Sequence, residues 1–109
     1  RLLDIELPGA SAGEEPKRSM RDIVVDLNAE GKIFLYRKER SPDYLERRLR
    51  TLTEFAEASG GNPGVIIRAD GACDHRHVVR VMDICRHARV RRVFFSTLSQ
   101  EEMDGANVE

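Results

Sequence analysis

The sequence predicts an α+β fold: a two-layer sandwich in which a small mixed β-sheet carries two helices on one face, in the order ββαβαβ. Three observations lead there. Two stretches, beginning at Pro42 and after Asp74, repeat apolar residues at helical spacing behind a capping residue. Four short runs rich in Val, Ile and Phe separate and flank them. The α-to-β returns of a shared sheet are right-handed, which puts both helices on the same face. With 109 residues and 40% apolar content, the chain can supply one modest core and no second one.

The elements follow in order. Ile23, Val25 and Leu27 alternate with Val24, Asp26 and Asn28, which reads as a first strand. Asn28 to Gly31 supplies a turn, with Gly31 available where φ must be positive, and Lys32 to Tyr36 returns as the second strand of a hairpin. Ser41 is a natural N-cap and Pro42 fits the first helical position. The helix from Pro42 to about Ser59 places Leu45, Leu49, Leu52 and Ala56 on one stripe, with Phe55 at its margin; Gly60 and Gly61 end it, and Asn62 and Pro63 keep the chain out of helix. Val65 to Ala69 holds four apolar residues around Arg68, the pattern of a central strand. Asp74 caps the second helix, whose apolar face is Val78, Val81, Met82, Cys85 and Ala88, and Val90 to Thr97 forms the last strand. Residues 21–98 are therefore expected to form the folded domain.

The flanks read differently. Residues 1–20 contain a Gly-, Pro- and Ser-rich stretch and are expected to be a flexible linker, while 99–109 is expected to be a flexible acidic tail. Leu3, Ile5 and Leu7 alternate with Asp4 and Glu6, a pattern that would let Leu3 to Pro8 add as a strand to an exposed sheet edge. An uncovered sheet edge or face is a liability in a monomer and an asset in a dimer.

Charge excludes some functions and leaves others open. A net charge of -1 speaks against nucleic-acid binding, although six arginines lie between Arg76 and Arg92 against the single acid Asp83. Such a segment reads either as solvated surface or as an attractor of an anionic partner, and Arg37, Lys38 and Arg40 form a basic knob with the same two readings. No run reaches the roughly 18 apolar residues of a spanning helix. The chain opens at Arg1 without a methionine, which suggests a trimmed fragment, so the absence of an anchor here says little about the full protein.

Candidate chemistry is thin. Cys73, His75, His77, Cys85 and His87 match no zinc spacing, and His75 and His87 fall on different helix faces. Cys73 and Cys85 would lie roughly 16 Å apart along a helix, too far for a disulfide, and are expected to be free thiols. A Cys–His nucleophilic pair would need Cys73 exposed and an orienting acid other than Asp74, which serves better as a cap. Asp70 and Gly71 sit where many α/β enzymes place a catalytic carboxylate, but an Asx-type turn accounts for them, and no glycine-rich phosphate loop accompanies them. Asp83 can pair with Arg80, Arg86 or His87 on the helix surface. No catalytic, cofactor-binding or metal-binding residue is expected.

The run VIIRADGACDHRHVVRVMDICRHARVRRVFFST from Val65 to Thr97 resembles the core of the periplasmic domain of the ExbD/TolR family of biopolymer-transport proteins. Ala69 and Asp70 stand in that family's RAD turn, and Val78, Val79, Val81, Met82 and Asp83 in its VVxVMD helix. Leu7-Pro8-Gly9-Ala10, behind Asp4-Ile5-Glu6, resembles its LPxA segment. Gly71, Cys73, His75 and Arg89 depart from the family pattern, Arg89 replacing the usual glycine after the helix. The resemblance implies a non-enzymatic, single-pass inner-membrane subunit with this domain in the periplasm. It implies a homodimer held by an ExbB/TolQ-type membrane subunit, acting on TonB or on a Tol–Pal component, with peptidoglycan contact in the TolR branch. It also implies that Leu3 to Pro8 pairs with a sheet edge, that Val78 to Asp83 belongs to the structural core, and that an ion-carrying aspartate lies upstream of Arg1. The rival class is a soluble regulatory α/β module that binds a small molecule.

Overall fold

The computed structural model describes residues 4–6, 22–61 and 63–98. Leu3, Leu7, Pro8, the rest of the expected linker and the expected tail 99–109 lie outside the described residues. The described chain forms one mixed sheet with two helices on one face. In chain order the elements are β1 (Asp4–Glu6), β2 (Ile23–Leu27), β3 (Ile33–Leu35), β4 (Lys38–Arg40), α1 (Pro42–Ser59), β5 (Gly64–Asp70), α2 (His75–His87) and β6 (Arg92–Leu98). The sheet order is β1-β6-β5-β2-β3-β4. The expected ββαβαβ order holds for β2-β3-α1-β5-α2-β6, and β1 and β4 are added at its two edges.

Capping chemistry sets the helix boundaries. The Ser41 hydroxyl accepts the Tyr44 amide at 3.1 Å, Pro42 starts α1, and Gly60 closes it with φ of 79°. Asp74 accepts the Arg76 amide at 3.1 Å and opens α2. The far end of α2 closes in a Schellman arrangement. Arg89 N–H donates to Arg86 O at 3.0 Å, and Val90 N–H to Cys85 O at 2.9 Å, with Arg89 at a φ of 65° that glycine would occupy more readily.

The β2–β3 turn is built on one asparagine. Asn28 Oδ1 accepts the amides of Glu30 at 3.1 Å and Lys32 at 2.8 Å, and Gly31 takes a φ of 85°. The second strand is shorter than expected, because Tyr36 and Arg37 both adopt positive φ (53° and 67°) and turn the chain into β4. Two positive φ values are what a type I′ two-residue hairpin requires. Arg37, Lys38 and Arg40 are therefore a turn and an edge strand, not a knob beyond the hairpin. Lys38 and Glu39 are exposed on β4, a charged edge that disfavours pairing with another chain.

The core lies between helices and sheet. Leu45 and Leu49 of α1 and Val81 and Cys85 of α2 are fully buried against Val25, Leu27, Val65, Ile67 and Val93. Thr53 Oγ1 of α1 donates to Ala88 O at 2.8 Å and ties the two helices together at one end. The sheet face away from the helices is also buried, at Ile66, Phe94 and Leu98. A polar row crosses that face: Asp26, Arg68 and Ser96 are register neighbours on β2, β5 and β6. Arg68 Nε and Nη2 donate to the two Asp26 carboxylate oxygens at 2.7 and 2.9 Å.

Candidate functional site

The residues singled out in the sequence fall into two regions joined by β6. The first is β1, whose register with β6 is parallel: Asp4 opposite Arg92, Ile5 opposite Val93, Glu6 opposite Phe94. Three residues make a short ladder, and β1 is the terminal strand of the described sheet. Its other side has no ladder partner among the described residues, so backbone N–H and C=O groups are available there for a further strand.

The second region is the end of β5 and the α2 that follows. Ala69 is buried, and Asp70 ends β5 with Oδ1 accepting the Ala72 amide at 2.8 Å while its carbonyl accepts the Cys73 amide at 2.8 Å. That is an Asx-type turn. Val78 and Val81 are buried in the core and Met82 packs partly against it. Val79 and Asp83 are not core residues. Val79 is 40% exposed, and Asp83 pairs with Arg86 on the helix surface, because at about 100° per residue these two positions share one side of the helix, off the stripe of Val78, Val81 and Cys85.

The C-terminal ends of β5 and β6 and the first half of α2 enclose a groove of about 330 Å³. Ala69, Val78, Met82 and Phe95 form its apolar floor, and Asp70 and His75 lie at its rim. A groove of this size accepts one or two apolar side chains or a small ligand. Among the described residues, no three His, Cys, Asp or Glu side chains gather to hold a metal ion.

Neither thiol is activated. Burial pushes the Cys73 thiol up, the carboxylates of Asp70 and Asp74 push it further, and Arg80 only partly opposes them. Cys85 is pushed up to about 12 by burial in the core. Both are thus protonated at neutral pH, the wrong state for nucleophilic attack. Cys85 also links stability to pH. Its folded pKa lies above the unfolded value of 9.0, so its contribution is complete below pH 9 and is lost as pH rises toward about 12. Stability should fall across that window by roughly 1.4 kcal/mol per pH unit from this group. Cys85→Ala should lower stability by a constant offset and remove that slope; parallel curves for the two proteins in alkaline urea denaturation would contradict it.

Sequence reasoning passed over several features of this geometry. The Asp26–Arg68 pair left only a faint signal, one opposite charge at the centre of each of two apolar strands. His77 is half-buried with its ring against Gly31, and Arg80 Nη2 donates to Gly31 O at 3.1 Å, so α2 clamps the β2–β3 turn.

The family model described as biopolymer transport protein ExbD/TolR matches residues 1–100. The chain belongs to the ExbD/TolR family. No curated protein matches the sequence. Within this ExbD/TolR chain, the matched span takes in β1, the whole two-layer domain and β6. No helix among the described residues is long and apolar enough to cross a membrane.

Proposed function

We propose that this ExbD/TolR chain is the periplasmic domain of a single-pass inner-membrane stator subunit. It would act as a homodimer with an ExbB/TolQ-type membrane subunit and pass energy from an ion gradient to a TonB- or Tol–Pal-type envelope system. The observation that carries this reading is the family match across residues 1–100, which includes the arm as well as the domain. The structure supports a physical form for the coupling. β1 is a three-residue strand on the sheet edge, and each hydrogen bond of such a ladder contributes only about 0.5–1.5 kcal/mol net. Exchanging β1 for a partner strand on β6, or pairing a partner strand on the outer side of β1, therefore involves states a few kcal/mol apart. The domain performs no bond chemistry in this reading; it is held or released.

Two measurements test it. Proline placed at Ile5 and, separately, at Glu6 covers both amide orientations, because adjacent residues of a strand point their N–H groups to opposite sides. At least one variant should impair coupling in the full-length protein while the isolated domain keeps its melting temperature. Absence of hydrogen-exchange protection at residues 3–8, in dimer and complex alike, would remove the arm mechanism. The stator assignment itself is tested by reading the gene ahead of Arg1: about 20 apolar residues interrupted by an aspartate are expected, and a soluble domain there would overturn it. Sedimentation with purified peptidoglycan separates the TolR branch of the reading from the TonB branch.

A further inference from the structure

The end of the sheet opposite the groove carries a second concavity, about 530 Å³ in volume, between the end of α1 and the segment joining α2 to β6. Three arginines line it, Arg89, Arg91 and Arg92, against one acid, Glu57. Arg89 is held at its positive φ by the two hydrogen bonds that close α2, so its side chain leaves a fixed backbone. Arg92 is half-buried with its guanidinium over the Phe94 ring, 5.0 Å from the centroid. Arg89 and Arg91 are exposed and make no ion pair with any described residue.

Both helices end beside this basin, and cations complement their partial negative ends. That alone does not explain the arrangement. A helix end is served by any nearby cation, and glycine would close α2 with less backbone strain than Arg89 does. Two exposed guanidinium groups, those of Arg89 and Arg91, beside one basin are instead suited to an anion with several acceptor oxygens, which forked donors engage two at a time.

We propose that this basin binds a phosphate-bearing anion, either a soluble phosphate or the phosphodiester headgroup of an anionic phospholipid. The inference goes beyond the stator reading and does not depend on it, since it needs only this chain's arginines. The test titrates the 109-residue chain with pyrophosphate, following its amide resonances, and sediments it with phosphatidylglycerol or phosphatidylcholine vesicles. Both assays use the native protein, R89G, R91Q and, as a remote charge control on exposed Arg47, R47Q. Pyrophosphate should shift the amides of Gly60, Gly61 and residues 89–92. R89G and R91Q should each weaken binding by about tenfold or more, the loss expected for one charge-assisted contact. R89G should do so while raising the melting temperature, which separates lost binding from lost folding. Binding to phosphatidylglycerol alone assigns the site to a lipid headgroup, and binding to pyrophosphate alone assigns it to a soluble phosphate. No binding to either, undiminished binding by R89G and R91Q, or equal weakening by R47Q would overturn the proposal.

Discussion

Arg68→Met is expected to destabilise the domain by about 3–5 kcal/mol, the cost of leaving a buried carboxylate without its partner. Asp26 is 6% exposed, and the Arg68 fork supplies both of its short contacts from the neighbouring strand. A chain of this size has a total stability on the order of 5–15 kcal/mol, so the single variant should populate unfolded protein under mild conditions. The paired replacement Asp26→Val with Arg68→Met should recover much of the loss, because two apolar side chains need no compensation where two charges did. Recovery will be incomplete to the extent that Arg68 serves its further contacts. Urea midpoints at constant slope provide the measurement. A loss below about 1 kcal/mol for Arg68→Met would place the pair among weak surface interactions. The pair also has a positional role. It joins β2 to β5 at one register, the seam between the hairpin half of the sheet and its parallel half.

Gly31→Ala is expected to cost about 3 kcal/mol, from two sources that a second substitution separates. The backbone at Gly31 has a φ of 85°, which strains any residue with a side chain. The added Cβ would also stand 2.3 Å from two ring atoms of His77, far inside contact distance. Truncating the ring in the Gly31→Ala/His77→Ala pair should restore the steric part and leave the backbone part. If the double variant melts no higher than Gly31→Ala alone, relative to His77→Ala, the clash is not the cause. The turn is where the hairpin docks on α2, with Arg80 donating to Gly31 O. Hydrogen exchange should therefore rise in β3 and in the first turns of α2 together.

The starts of both helices and the end of α1 were legible in the sequence because a cap is a contact within three or four residues. Ser41, Pro42, Gly60 and Asp74 act where the sequence placed them. The β2–β3 hairpin was legible for the same reason, since Asn28 and Gly31 build the turn from their own side-chain and backbone chemistry. The motif residues at Ala69, Asp70, Val78, Val81 and Met82 carried the family resemblance, which the match over residues 1–100 confirmed. β4 was not legible: Tyr36 and Arg37 lack the Asn, Asp or Gly that marks a type I′ turn, and it is pairing of Lys38–Arg40 with β3 that accompanies their left-handed backbone.

The sequence by itself determined the types of the six expected elements, where both helices start and where α1 ends, and the family. Each rests on short-range periodicity, on capping or on a contiguous motif. The tertiary structure alone decided which strands became neighbours, that Asp26 meets Arg68 across 42 residues, that His77 closes on Gly31, and that Arg89, Arg91 and Arg92 line one basin. Those outcomes depend on how two layers pack. Packing brings together side chains whose separation along the chain carries no local signal of their meeting.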